Sequence, residues 1–139
     1  MLVAMSCYHC PELTIDAVRS LEQNRKDVPG LQVGICENGS GDEVVQTLTE
    51  TIEREGWGAW VYVLPVSPNR GFAGGTNVVL RDGLSWPKPP DYFLLLNTDT
   101  IVHPGAVRAL VEAMPRRHEV GVMSARLFWP DGRQMSNSR

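Results

Sequence analysis

The sequence predicts an α/β domain: a mostly parallel, doubly wound sheet with helices on both faces and a small C-terminal hairpin. Three observations carry that prediction. Short apolar runs alternate with segments of helical period along the chain, the pattern of repeated strand-helix-strand units. The run Tyr92-Phe93-Leu94-Leu95-Leu96 is apolar without alternation, as a strand covered on both faces is. Near the C-terminus, Pro130-Asp131-Gly132 places turn residues between two short runs, a hairpin signal.

The elements follow in order. Leu2–Ser6 reads as a strand, and a helix is expected over about Pro11–Asn24, with Pro11 in its first turn and Leu13, Ala17, Val18 and Leu21 on one apolar face. Leu31–Cys36 is a second strand after the Pro29-Gly30 turn. Ser40-Gly41-Asp42-Glu43 fits a capping box opening a helix whose stripe is Val44, Val45, Leu48 and Ile52, with Gly56 as a stop. Ala59–Leu64 is a third strand, rich in β-branched and aromatic residues. A glycine-rich stretch, Asn69–Asn77, leads into a short helix around Thr76–Leu84, and Pro87-Lys88-Pro89-Pro90 is a stiff connector. Tyr92–Leu96 is the fourth strand. Pro104 opens a helix carrying Val107, Leu110, Val111 and Met114. Arg116-Arg117-His118 reads as a solvated loop, Val120–Ala125 as a strand, and Arg126–Trp129 with Arg133–Met135 as the hairpin.

Composition bounds the function. With 139 residues, 42% hydrophobic and 21% charged, the chain is one globular domain, 1–139, rather than a disordered or fibrous one. Lys and Arg number 13 against 16 Asp and Glu, a net charge of -3, so nothing points to a nucleic acid partner. No apolar run approaches the roughly 20 residues of a membrane-spanning helix, and the N-terminus does not read as a signal peptide. Three cysteines, an odd number, argue against a disulfide framework and for a reducing compartment. A cytoplasmic protein is expected.

In a parallel sheet, ligands sit at the carboxyl ends of the strands. Four segments fall there. Asn97-Thr98-Asp99-Thr100 follows a strand of pure hydrocarbon and sets a carboxylate and an amide at the sheet's mouth. Asp99 can ligate Mg²⁺ or Mn²⁺ together with diphosphate oxygens, and Asn97 can bond a ribose; equally, Asp99 can satisfy N–H groups of a turn. Asn69-Arg70-Gly71-Phe72-Ala73-Gly74-Gly75-Thr76-Asn77 offers close backbone approach, a permanent positive charge at Arg70 and two amides, a ligand loop or a tight strand-to-helix connection. Glu37-Asn38-Gly39-Ser40-Gly41-Asp42 places a carboxylate where it can read a base or ribose, although helix capping explains much of the segment. Cys7-Tyr8-His9-Cys10 is a Cys-x-x-Cys, with Cys36 close if the first two strands are neighbours. No P-loop is present, and the first strand-helix turn lacks glycine, so the dinucleotide fingerprint is absent.

Taken in order, these segments resemble family 2 glycosyltransferases, especially the rhamnosyltransferase-like branch. The likeness is carried by Val18-Arg19-Ser20-Leu21, Glu37–Asp42, Asn69–Asn77, Leu95–Thr100, Pro104-Gly105-Ala106-Val107 and Pro130-Asp131-Gly132-Arg133. The resemblance implies a GT-A fold with a nucleotide-diphosphate sugar, dTDP-, UDP- or GDP-linked, over the strand ends. Glu37 would face the base or ribose, where relatives usually carry Asp. Asn69, Arg70, Gly71, Gly74, Gly75 and Asn77 would line the nucleotide pocket. Asn97-Thr98-Asp99 would stand for the family's Asp-x-Asp-like element, with Asp99 on Mg²⁺ or Mn²⁺ and Asn97 near the ribose.

The resemblance also implies transfer of the sugar, with inversion, to a hydroxyl of a glycan or lipid-linked acceptor in cell-surface polysaccharide synthesis, at the inner face of the membrane. The carboxylate base of such enzymes lies in a later, acceptor-facing half, so no residue here takes that role. The chain is expected to be the donor-binding part. Two rivals stand beside this reading: a non-catalytic or degenerate relative that binds a partner, and a zinc or thiol-redox protein built on Cys7, Cys10 and Cys36.

Overall fold

The computed structural model describes residues 1–116 and 119–136; Arg117 and His118 of the expected solvated loop lie outside them. The elements are β1 (Leu2–Cys7), α1 (Pro11–Asp27), β2 (Gln32–Asn38), α2 (Asp42–Arg54), β3 (Val61–Val66), α3 (Gly71–Leu84), β4 (Phe93–Leu95) and α4 (Ala106–Ala113), the last running into a 3-10 turn at Met114–Arg116. The four strands form one sheet in the order β3-β2-β1-β4, and every pairing is parallel. No described helix is long and apolar enough to cross a membrane.

Side-chain parity explains how the sheet is covered. Successive residues of a strand face opposite sides. Val3, Met5 and Cys7 of β1 join Val33 and Ile35 of β2 in a cluster closed by Ala17, Val18 and Leu21 of α1, Leu48 and Ile52 of α2, and Val107 of α4. Leu2 and Ala4 face the other way and meet Cys36 and Val79 of α3. The chain thus winds outward through β2 and β3 with helices on one face, then returns through α3 on the opposite face to β4. Reversing direction and face together keeps the crossovers of one hand.

The return helix lies very close to the sheet, and glycine is what allows it. A Cβ on Gly34 of β2 would come within 2.5 Å of Val79 Cγ1 and 2.9 Å of the Tyr62 hydroxyl. A Cβ on Gly75 would overlap Ser6 Oγ, and one on Gly83 would overlap Leu2 Cδ2. Gly75, Val79 and Gly83, spaced by four, form the buried stripe of α3. Across the same seam, the Tyr62 hydroxyl donates to Asp82 Oδ2 at 2.8 Å and Trp86 Nε1 donates to it at 3.1 Å. Burial, and then Asp82, push the Tyr62 phenol above its usual pKa. Thr76 Oγ1 is buried there without a hydrogen-bond partner among the described residues.

Several expectations change. Leu13 is 50% exposed, and Thr14 takes the inward position on α1 in step with Ala17, Val18 and Leu21, its hydroxyl satisfied by donating to Cys10 O at 2.8 Å. The capping box does not form: Gly41 is the cap of α2, without a side-chain bond. Ser40 is engaged elsewhere, accepting from His9 N–H at 2.9 Å and donating its own N–H to Glu37 Oε1 at 2.6 Å. Helix α3 begins at Gly71 rather than near Thr76, so the glycine-rich stretch is the helix's first turns, not a loop before it. Helix α4 starts after Gly105, two residues beyond Pro104. Strand β4 is a three-residue edge with Leu95 54% exposed, not a strand covered on both faces. The expected strand at Val120–Ala125 is irregular chain. The hairpin is present in minimal form, with one bridge, Phe128↔Gln134, around the Pro130-Asp131-Gly132 turn. Pro65 lies within β3, the other edge, where a missing N–H toward solvent is tolerated.

Two substitutions test the seam. Gly34→Ala should cost about 1–3 kcal/mol in urea unfolding, because Val79 is fully buried and Tyr62 is held by its bond to Asp82, while Gly58→Ala, with nothing within 4 Å, should lie within about 0.5 kcal/mol of the parent. Thr76→Val removes the orphaned hydroxyl at nearly constant shape and should raise stability by about 1 kcal/mol.

Candidate functional site

At the carboxyl ends of the strands, three polar ties fix the turns to one another. The first is Asn38, the last residue of β2, which is 2% exposed. It shares the face of Gly34 and Cys36 and so points toward α3. Its Nδ2 donates to Ser6 Oγ at 3.2 Å and to Gly71 O at 3.0 Å, and its Oδ1 accepts from Arg70 N–H at 2.9 Å. One buried amide therefore joins β1, β2 and the start of α3. The second tie is His9 N–H to Ser40 Oγ, between the turns after β1 and β2. The third joins Cys10 Sγ to Thr98 Oγ1 at 3.4 Å, between the turns after β1 and β4.

The segment after β4 is also held from below by α1. Ser20 Oγ accepts from Val102 N–H at 2.9 Å. Asn24, fully buried, donates to His103 O at 3.2 Å and accepts from Val107 N–H at 3.3 Å. The stretch bearing Asn97 and Asp99 is thus anchored on one side by the β1–α1 turn and on the other by the body of α1. Both residues are exposed at the strand end.

Glu37 has the opposite parity to Asn38 and faces the α1–α2 side, 1% exposed. One carboxylate oxygen is taken by Ser40 N–H. The residue lines a cavity of about 300 Å³ with Gly39, Ser40 and Asp42 after β2, Val45 of α2, and Val66 and Ser67 at the end of β3. The cleft opens there because β2 and β3 are neighbours whose following helices leave to opposite faces of the sheet. Gly39, at φ 87, is where the two sides meet: a Cβ would come within 2.6 Å of Asn69 N. Beyond that contact, Asn69 and Arg70 are exposed. Burial, and then the neighbouring Glu37 charge, push the Cys36 thiol up to about 11, and the Arg70 guanidinium opposes them.

The start of α3 can be accounted for donor by donor. The first four N–H groups of a helix have no intrahelical acceptor. Arg70 N–H is taken by Asn38 and Gly71 N–H by Asn69 Oδ1 at 2.6 Å. Those of Phe72 and Ala73 have no acceptor among the described residues, and the helix dipole is positive at this end. The Arg70 guanidinium makes no ion pair among the described residues. Gly74 and Gly75 act in packing, against Arg70 Cβ and against Ser6 with Asn38. Asn77 is exposed on α3, about 9 Å along the axis from Gly71 at 1.5 Å per residue, and is not gathered with the others.

Among the described residues, no three His, Cys, Asp or Glu side chains come together as a metal cage. Cys7 and Cys36 lie in the clusters on opposite faces of the sheet, so the three-cysteine zinc site is not formed. The single exposed carboxylate of Asp99 has the chemistry for Mg²⁺ or Mn²⁺ held mostly by diphosphate oxygens, a mode in which the protein contributes one or two carboxylates. Asn38, Ser6 and Thr98 are the site-forming residues that sequence reasoning missed. For Asn38 a signal existed: its parity with Gly34 and Cys36 turns a polar side chain toward the helix that the glycines admit.

Four all-parallel strands flanked by helices on both faces match a GT-A-like glycosyltransferase fold. Among solved structures, the chain is similar to S. aureus TarS 1–349, with 16% identity and a TM-score of 0.64 over 91% of this chain and 39% of that one. Against TarS 1–349 in complex with UDP the values are 14% and 0.63, over 95% of this chain and 42% of that one. Against a longer TarS structure they are 15% and 0.64, over 91% and 23%. At these identities the likeness is one of fold, and the chain spans about two-fifths of the TarS 1–349 chains. No protein-family model and no curated protein matches the sequence.

Asn38→Ala should cost about 2–4 kcal/mol in chemical denaturation, the sum of three hydrogen bonds lost with their partners left inside. A loss near zero would show that the ties at Ser6, Arg70 and Gly71 are replaced by water.

Proposed function

We propose that this chain binds the nucleoside diphosphate of a sugar donor at the carboxyl ends of its strands and serves glycosyl transfer in the manner of family 2 glycosyltransferases. The observation that carries the reading is the pairing, across the Gly39–Asn69 contact, of a carboxylate-lined cleft with an anion-attracting helix end. A base and ribose need a concave site with hydrogen-bonding groups, which the cleft at Glu37 and Ser67 offers. A diphosphate needs N–H donors and fixed positive charge, which Phe72, Ala73 and Arg70 offer. The GT-A-like fold, and a neighbour of that fold crystallised with UDP, support the same reading.

In this reading the free oxygen of Glu37 reads the base or ribose, while its other oxygen stays with Ser40 N–H. Asn69 keeps the Gly71 N–H covered, which directs an incoming anion to Phe72 and Ala73. Arg70 meets the diphosphate, whose charge rises as the sugar–phosphate bond breaks; fixed donors that need not reorganise stabilise that change most. Asn97, exposed after β4, would bond the ribose. Asp99 would hold Mg²⁺ or Mn²⁺, which when bound supplies Lewis-acid neutralisation of the leaving diphosphate. The general base that takes the acceptor's proton is not assigned to any residue described here.

Titration calorimetry with UDP, dTDP and GDP, each with and without Mn²⁺, tests the proposal. One of the three should bind, more tightly with the metal. Arg70→Ala should weaken binding roughly tenfold to a hundredfold, the loss of a charge-assisted bond, and Asp99→Ala should abolish the metal's effect without altering the fold by circular dichroism. Absence of binding by any of the three to the folded protein would overturn the reading.

A further inference from the structure

The turn Cys7-Tyr8-His9-Cys10 is left unused by the donor site, yet it is built with care. Cys7 ends β1 fully buried, and Cys10 caps α1 half-buried. Cys10 packs against the buried cluster that contains Cys7. Between them His9 holds φ at 53°, a left-handed backbone that non-glycine residues rarely adopt, and its N–H is tied to Ser40. The turn therefore sets two cysteines, three positions apart, against one buried cluster at a strand-turn-helix junction, a setting that suits dithiol chemistry.

We propose that Cys7 and Cys10 are a reversible dithiol–disulfide pair, oxidised by hydroperoxides. Cys10 is the entry point because it alone of the two reaches solvent. Burial raises its pKa, but hydrogen bonds from Thr98, the Tyr8 backbone, Thr14 and Cys7 outweigh that and lower it. Burial pushes Cys7 up to about 11, which suits a partner that reacts second. The Cys10 sulfur attacks a peroxide oxygen; the O–O bond breaks, and the first water leaves as Cys10 sulfenic acid forms. The Cys7 sulfur then attacks the Cys10 sulfur; the S–O bond breaks, the S–S bond forms, and the second water carries away the remaining thiol proton. Two thiols thus give up two electrons and two protons to one hydrogen peroxide, and an external dithiol restores them. Cys36 cannot compete, since it sits under α3 on the other face of the sheet. Disulfide formation consumes the Cys10 S–H, one of the two possible donors in the Cys10–Thr98 tie between the β1–α1 turn and the segment bearing Asn97 and Asp99.

The test uses the whole chain and hydrogen peroxide, read by intact mass and by peptide mapping after alkylation, and it does not depend on which nucleotide binds. The expected result is loss of two hydrogens, one intramolecular Cys7–Cys10 link, an alkylated Cys36, and full reversal by dithiothreitol. Before oxidation, Cys10 should alkylate at pH 7 about tenfold faster than Cys36. Cys10→Ser, at a half-buried position, should leave Cys7 reduced at the same peroxide dose. Cys10 recovered as sulfinic acid beside a reduced Cys7, a link between two chains, oxidation of Cys36 first, or undiminished oxidation of Cys7 in Cys10→Ser would each overturn the proposal.

Discussion

Where α3 crosses β1 and β2, helix and sheet approach so closely that side chains at Gly34, Gly75 and Gly83 would collide with what faces them. Each helix-interior glycine costs about 1 kcal/mol relative to alanine, so the arrangement is not a local preference of α3. Burial offsets it: Leu2, Ala4 and Val79 are lost to solvent in the same seam, and each full-sized apolar side chain so covered contributes about 1.5–3 kcal/mol. The close seat also brings the first turn of α3 within reach of Asn38. Without it, neither the Arg70 N–H nor the Gly71 carbonyl would find its partner at the end of β2.

Much of the architecture was legible because the four strands and four helices announce themselves by period. The apolar positions of β1 and β2 sort onto two faces, as alternation requires. The misreadings share one physical origin: local signals were overridden by contacts from distant residues. Ser40 has the chemistry of a helix cap, but Glu37 and His9 hold it. Glycines discourage a helix in isolation, so its start was placed late; the packing against Ser6 and Asn38 that favours glycine cannot be seen in sequence. Leu13 looks inward by period, but the packing of Ala17, Val18 and Leu21 against the strands turns Thr14, not Leu13, to the sheet. Strand β4 read as covered because hydrocarbon density says nothing of whether a neighbour exists.

The candidate site shows the same division. Glu37 near the end of β2, and Asn69, Arg70, Asn97 and Asp99 on the segments that follow β3 and β4, all lie at one end of the sheet, as a parallel topology dictates. Strand parity puts Glu37 and Asn38 on opposite sides of the sheet, but which turns each side chain would meet there depends on contacts with Ser6, Ser40, Arg70 and Gly71 that the sequence does not display. Asn38 commits both its donors and its oxygen to the framework, while Glu37 makes one bond to Ser40 N–H and lines the cleft.

The two margins of the sheet differ in kind. On the β3 margin, Pro65 has no hydrogen to offer an approaching strand, which blunts that side against accretion and fibril-like stacking. The β4 margin has no such guard over its three residues. A further strand would therefore meet fewer obstacles alongside Phe93–Leu95 than at the opposite flank, where Pro65 withholds a donor.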